Sequence, residues 1–200
     1  MKKNHGMNKL IIYELNELPP RLLKEYIKIR PKSTLAELFL NGIYRQTFAT
    51  DQGELHPWST WPTFYRGVNN TDHEINSINQ DISLANENFP SVWKILADND
   101  ISIGLFGSLQ SYPPIYSKNI KFYLPDTFSP DNRAIPDSLS RFQEFNLAIV
   151  GNNNAMARGI RISDVKKFIN LLTDLLITPK TILKIILHLT KECINQNYKI

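Results

Sequence analysis

Short apolar runs typical of buried strands alternate along this chain with segments that have helical spacing. The runs are rich in β-branched and aromatic residues, and four of them are predicted strands: 10–15, 43–50, 101–106 and 121–124. Apolar side chains recur every three or four positions in the segments between and after them: 21–29, 34–41, 89–97 and 136–149. Strands that alternate with helices predict an α/β fold with a mainly parallel sheet and flanking helices.

A polar stretch at 151–154 (GNNN) divides the chain into two predicted parts. Residues 1–150 form the predicted α/β domain, and residues 151–200 form a helical extension. In this extension, 163–177 and 179–194 have amphipathic spacing, with Thr178 as a helix cap before Pro179. Two interpretations stay open: a helical hairpin packed on the domain, or a pair of helices that contacts a membrane surface.

Composition excludes several classes of protein. Hydrophobic residues make up 42% of the chain and charged residues 21%, which is typical of a globular protein. The net charge is +4, but the basic residues are scattered, so we expect no nucleic-acid partner. The single cysteine, Cys193, excludes an internal disulfide and a thiolate metal cluster, and we expect a cytoplasmic protein. The sequence has no uninterrupted apolar run of about 18 residues, so no transmembrane helix is predicted.

Thr60 is the first candidate for chemistry. Residues 60–67 are predicted to form a short helix with Pro62 in its first turn. A threonine at a helix N-terminus has its hydroxyl near unpaired N–H groups and the positive end of the helix dipole, which suits an anionic substrate. An alkoxide would need further help, most simply from a divalent metal. The alternative is that Thr60 only caps the helix.

Oxygen-bearing side chains follow the first predicted strand. Glu14, Asn16 and Glu17 carry carboxylate and amide oxygens of the kind that bind zinc, magnesium or manganese. The alternative is that they cap the next helix. His56 and His73 lie on either side of Thr60 and are further candidates, although a lone histidine in a polar loop is more often structural or solvated.

The order of these segments resembles the N-terminal half of the alkaline phosphatase superfamily. The closer resemblance is to type I phosphodiesterases, nucleotide pyrophosphatases and sulfatase-like hydrolases, and it covers roughly residues 9–150. Residues 15–18 (LNEL) resemble the segment whose aspartate binds a metal, and 60–63 (TWPT) resemble the segment that carries the nucleophile. Three further segments follow in the same order: 67–75, which resembles Gly-x-x-Pro-x-x-His-Gly-Ile, 89–96 and 123–128.

The resemblance implies a metal-dependent hydrolase of phosphate diesters, phosphate monoesters or sulfate esters. Thr60 would be the nucleophile. Asn16 or Glu14 would hold the metal nearest to it, which we expect to be zinc, with magnesium and manganese as alternatives.

The sequence departs from the family in ways that keep two functions open. Asn16 stands where the family usually has aspartate, and Glu74 replaces the glycine after the histidine. The other metal ligands of the family are Asp and His residues in a C-terminal half, and residues 151–200 contain no Asp-His pair. The chain is therefore expected to be a partial hydrolase, with a second half that could be encoded separately, or an inactive remnant that serves as a binding or scaffold module.

Overall fold

The computed structural model describes residues 9–16, 18–78, 80–150, 178, 180–184 and 187. A 3-10 turn, Asp137–Leu139, precedes the last named helix, and residues 180–184 are also helical. The named elements, in chain order, are α1 (Pro20–Ile29), α2 (Thr34–Asn41), α3 (Pro57–Arg66), α4 (Asn70–His73), α5 (Ser83–Asn88), α6 (Val92–Asp98), β1 (Ile103–Phe106), β2 (Ile120–Leu124) and α7 (Ser140–Val150).

Helix α2 has the bounds that the sequence predicts, and α1 begins one residue before its predicted segment 21–29. Proline lies at the start of α1, where its missing N–H costs no hydrogen bond. Ser33 caps α2, because its hydroxyl accepts a hydrogen bond from the Ala36 N–H at 3.2 Å. Such a cap typically stabilises a helix by about 1 kcal/mol. At the other end, the Gly42 N–H donates to the Leu38 carbonyl at 2.8 Å, and the helix stops there.

A parallel pair of strands, β1 and β2, forms the sheet of the described chain. Gly104 lies opposite Phe122 in the register, and a Cβ at position 104 would come within 2.2 Å of the Phe122 ring. Glycine is therefore required at this position for the ring to lie across the neighbouring strand. Together with the helices, this sheet confirms an α/β architecture in its coarse form.

The main core lies between the sheet and helices α3 and α6. Its buried residues are Tyr65, Trp93, Ala97, Leu105, Ile120 and Tyr123. Tyr123 is completely buried and its hydroxyl donates to the Ser111 carbonyl at 2.6 Å, which satisfies the polar end of the ring. A smaller cluster of Ile75, Ile82 and Ala85 joins the loop after α4 to α5.

Two of the predicted strands are wrong. Segments 10–15 and 43–50 have no strand assignment, and their apolar side chains face solvent: Leu10 is 81% exposed and Ile11 87%. A strand requires a neighbour for its backbone groups, and β-branched composition alone does not supply one. Among the described residues, neither segment pairs with β1 or β2.

The predicted boundaries around α3 are also wrong. The helix begins at Pro57 rather than at Thr60, because Pro57 suits the first turn and His56 has the extended backbone of a cap. Pro62 consequently lies inside the helix. Residues 69–88 are rich in Asn, Asp and Ser, a composition that predicts a loop, but they contain the short helices α4 and α5.

The predicted extension lies mostly outside the described residues. This applies to the whole of 163–177 and to most of 179–194. Thr178 accepts a hydrogen bond from the Thr181 N–H at 3.4 Å, in keeping with its predicted role as a cap. Among the described helices, none has the length and apolar character needed to cross a membrane.

Candidate functional site

Thr60 is the fourth residue of α3, one turn inside the helix. Its N–H donates to the His56 carbonyl at 2.9 Å, and its hydroxyl donates to the same oxygen at 3.0 Å. The expectation that Thr60 lies at the helix N-terminus is therefore wrong by three residues. The hydroxyl is half-buried and bound to the backbone, so it would have to leave the His56 carbonyl before it could act on a substrate.

Asn16 lies against the residue that follows Thr60 in the chain. Its side-chain oxygen accepts a hydrogen bond from the indole N–H of Trp61 at 3.1 Å. The two segments that the sequence singles out, 14–16 and 60–63, are therefore neighbours in space although they are 45 residues apart. Glu17, the third oxygen-bearing candidate, lies outside the described residues.

Glu14 occupies the space between α3 and the carboxyl end of β1. Its Oε2 accepts a hydrogen bond from the Tyr65 hydroxyl at 2.7 Å, and its Oε1 accepts one from the Ser108 hydroxyl at 3.4 Å. Burial, and then the hydrogen bond to Glu14, raise the pKa of Tyr65 far above its usual value. Tyr65 therefore stays protonated, and its hydroxyl donates a hydrogen bond to the Glu14 carboxylate. Glu14 fastens the exposed N-terminal segment to the core.

His56 precedes α3 and is half-exposed. Its ring stacks on Trp58 with 4.7 Å between the ring centroids, and its Nε2 lies 3.5 Å from the Glu54 carboxylate. Its carbonyl is the acceptor for the side chains of Ser59 and Thr60. His56 therefore contributes to the start of α3 through its backbone carbonyl.

The structure brings His73 together with two residues that the sequence reasoning missed. The Thr63 hydroxyl lies 2.8 and 2.9 Å from the two Asp51 oxygens and 3.0 Å from His73 Nε2. Asp51 Oδ1 also accepts the N–H of Asn70, the first residue of α4, at 3.0 Å. This polar cluster of Asp51, Thr63 and His73 joins the loop before α3 to both α3 and α4.

The direction of the hydrogen bonds follows from the other nitrogen of His73. The Ile75 N–H donates to Nδ1 at 3.0 Å, so Nδ1 carries no proton and a neutral ring carries its proton on Nε2. Nε2 then donates to the Thr63 oxygen, and the Thr63 hydroxyl donates to Asp51. In this arrangement His73 cannot take a proton from Thr63, so the cluster fits a structural junction better than an activated nucleophile.

Asp51 could have been identified as a candidate site residue from its position in the sequence. Asp51 follows the predicted strand 43–50 directly, as Glu14 and Asn16 lie at the end of the predicted strand 10–15. A carboxylate that follows a second strand-like segment therefore also predicts an acidic side chain, that of Asp51, near the segment 60–63. Thr63 belongs to that segment but was passed over in favour of Thr60.

His73 gives the folded protein a pH dependence. The ring is only 3% exposed, and this burial, followed by the positive charge of Arg66, lowers the pKa of His73 below its usual value of 6.5. An unfolded histidine takes up a proton near pH 6.5, whereas the folded one does so at lower pH. Below about pH 6.5 the unfolded state therefore binds more protons than the folded state. We expect the free energy of unfolding to decrease as the pH is lowered through this range.

Urea unfolding between pH 8 and pH 5 would measure this effect in the wild type and in His73→Gln. The stability difference between the two proteins should be constant above about pH 7 and should shrink below about pH 6.5. A difference that stays constant over the whole range would show that His73 titrates normally in the folded state.

The described residues do not by themselves fit a metal ion. Glu14, Asn16 and Thr60 offer oxygen atoms, but each already has a hydrogen-bond partner. Within 9–16, 18–78 and 80–150, no group of three or more His, Cys, Asp or Glu side chains is placed to hold a metal. Comparisons with protein-family models, curated proteins and solved structures give no match.

Proposed function

We propose that this chain carries the nucleophile-bearing part of a metal-dependent hydrolase of phosphate or sulfate esters. The contact between Asn16 and Trp61 is the observation that supports it most directly, because it lies next to Thr60. Two segments remote in sequence, both singled out by the resemblance to the alkaline phosphatase superfamily, are thereby adjacent in space. Glu14 lies close by, at the carboxyl end of β1, where α/β proteins commonly bind ligands.

In the proposed reaction, the Thr60 oxygen attacks the phosphorus or sulfur of the ester. The bond to the alcohol oxygen breaks, and the alcohol leaves with the threonine proton. Water then releases from Thr60 a phosphate monoester when the substrate is a diester, phosphate when it is a monoester, or sulfate when it is a sulfate ester. The hydroxyl must first exchange its bond to the His56 carbonyl for one to the substrate. This requires only a rotation of the Thr60 side chain, because the N–H of Thr60 keeps its own bond to the same carbonyl.

The metal of this proposal needs ligands beyond the described residues. Glu14 is the one carboxylate among the three positions that the resemblance selects, and one carboxylate does not bind a zinc ion on its own. The remaining ligands would come from another polypeptide, such as a separately encoded C-terminal half, or from parts of this chain that the structure does not describe. Zinc is the metal we expect, and magnesium and manganese are the alternatives.

Hydrolysis of bis(p-nitrophenyl) phosphate in the presence of zinc tests the role of Thr60. We expect Thr60→Ala to lower the rate by at least about tenfold, because the attacking hydroxyl is lost, and Thr60→Ser to keep part of the activity. Thr71→Ala, which removes an exposed threonine of α4, should behave as the wild type. Equal rates for Thr60→Ala and the wild type would remove Thr60 from the mechanism.

A second function, that of a binding or scaffold module without turnover, is favoured by the exposed apolar segments. Leu10, Ile11 and Tyr13 are each more than 80% exposed, as are Ile43 and Phe48. Apolar surface of this kind often marks a site of association. If the wild type shows no turnover with zinc, magnesium or manganese, this second function is the better interpretation.

A further inference from the structure

A cavity of about 350 Å³ has a lining that does not include Thr60, Asn16 or Glu14. One wall comes from residues 109–113, which follow β1, and another from residues 126–133, which follow β2. A third wall comes from residues 78 and 80–83, at the start of α5. The cavity thus lies beyond the carboxyl ends of two parallel strands, where open α/β sheets bind small ligands. Its volume is in the range of small-molecule sites, about 300–1,000 Å³.

Arg133 lines this cavity with a side chain that is 54% exposed and that two neighbouring side chains orient. Its Nε donates to Asp131 Oδ2 at 2.8 Å, and its guanidinium carbon lies 4.9 Å from the centroid of the Tyr112 ring. The Tyr112 hydroxyl donates to the same Asp131 oxygen at 2.7 Å, so all three side chains orient one another. These contacts use Nε and the flat face of the guanidinium. The edge formed by Nη1 and Nη2 takes no part in them.

The acidic residues of the cavity have donors of their own. Asp126 is 5% exposed and accepts the N–H of Phe128 at 2.7 Å and that of Ser111 at 3.3 Å, one on each oxygen. Asp81 accepts the N–H and the hydroxyl of Ser83 at 2.9 and 2.6 Å. Since both carboxylates are satisfied in this way, Arg133 is the charged lining group best placed to receive a ligand.

Apolar side chains supply much of the remaining wall. They belong to Ile78, Ile82, Leu109, Pro113, Phe128 and Pro130. A ligand that fills the cavity must therefore combine an apolar body with a group that matches the guanidinium edge. A carboxylate matches it best, because two parallel hydrogen bonds join its oxygens to two guanidinium nitrogens.

We propose that this cavity binds a small carboxylate with an apolar body. The carboxylate lies at the Nη1 and Nη2 edge of Arg133, and the body lies against Ile82, Leu109 and Phe128. This inference does not depend on the hydrolase proposal, because none of its lining residues belongs to the segments 14–16 or 60–63.

The test compares 2-naphthoate with 2-naphthamide, which has nearly the same shape but no charge. Titrations followed by amide chemical shifts of the full chain should give a dissociation constant for each probe. We expect the amide to bind at least about tenfold more weakly than the carboxylate, since it lacks a charge-assisted pair of hydrogen bonds. The largest shifts should come from residues 109–113 and 126–130.

Three variants complete the test. Arg133→Gln should weaken naphthoate binding by about tenfold or more, and Arg133→Lys, which keeps the charge but not the fork, by less. Arg45→Gln is the matched control, because Arg45 is exposed and its hydrogen bond within the described part of the chain goes to the carbonyl of its neighbour Tyr44. Far-ultraviolet circular dichroism confirms that each variant is folded.

Three results would overturn the proposal. They are equal binding of naphthoate and naphthamide, unchanged naphthoate binding in Arg133→Gln, and chemical-shift changes confined to the exposed apolar segments 10–13 and 43–48.

Discussion

Arg66→Ala should lower the free energy of unfolding by about 4 kcal/mol, which is the largest single effect that we expect in this protein. Arg66 ends α3, and its guanidinium donates to three acceptors around the C-terminal end of α5. Nη1 donates to the carbonyls of Ala85, at 3.0 Å, and Phe89, and Nη2 donates to the Asn86 side chain at 2.7 Å. Alanine would leave the Phe89 carbonyl and the Asn86 side chain without this donor beyond the end of α5, whereas the Ala85 carbonyl would keep its bond from the Phe89 N–H at 2.9 Å.

Urea unfolding followed by circular dichroism measures this effect. Arg66→Lys should recover part of the loss, because an ammonium group can reach one or two of the three acceptors but cannot span them as a planar fork does. Arg45→Gln serves again as the control for removal of an exposed arginine, with an expected change within about 0.5 kcal/mol. A loss below about 1 kcal/mol for Arg66→Ala would mean that water replaces the guanidinium at little cost.

Asp51→Ala should lower the free energy of unfolding by about 3 kcal/mol. The half-buried carboxylate accepts hydrogen bonds from the Thr63 hydroxyl and from the Asn70 N–H. Next to it, the Asn70 side chain makes two bonds to the backbone of Gln52, at 3.0 and 2.8 Å, so the loop before α3 is bound to α4 at adjacent points. Without Asp51, the Asn70 N–H would lose this acceptor in a partly desolvated place, and the Thr63 hydroxyl would have to rely on its longer contact to the Ser59 carbonyl, at 3.3 Å.

The controls for Asp51 separate charge from shape. Asp51→Asn keeps one acceptor oxygen and should cost less than alanine, whereas Glu87→Ala removes an exposed carboxylate of α5 and should cost no more than about 0.5 kcal/mol. If Asp51→Ala and Glu87→Ala have the same small effect, the polar cluster of Asp51, Thr63 and His73 does not hold the loop in place.

Local signals in the sequence were sufficient for some elements. The predicted bounds of α2, 34–41, agree with the structure because the ends of a helix depend on residues within a few positions, here Ser33 and Gly42. The predicted strands 101–106 and 121–124 correspond to β1 and β2. Both strands have buried positions against the core, which explains their apolar sequence.

The errors arise where structure depends on distant partners. Segment 10–15 has the composition of a strand, yet strand formation requires a neighbouring strand, which composition cannot reveal. Thr60 and Thr63 are indistinguishable by local sequence. Only the fold brings Asp51 and His73 to Thr63 and leaves Thr60 bonded to the His56 carbonyl. The proximity of Asn16 to the segment 60–63 could be predicted from the sequence, but only through the resemblance that selects both segments.

Helix α3 connects the N-terminal segment, the loop before it, α4 and α5. Each connection leaves the helix at a different angle: through Trp61 to Asn16, through Thr63 to Asp51 and His73, through Tyr65 to Glu14, and through Arg66 to α5. One inserted residue turns every later side chain of a helix by about 100°. An insertion near Ser59 would therefore misdirect all of these contacts at once, whereas a substitution such as Arg66→Ala removes the contacts of one side chain.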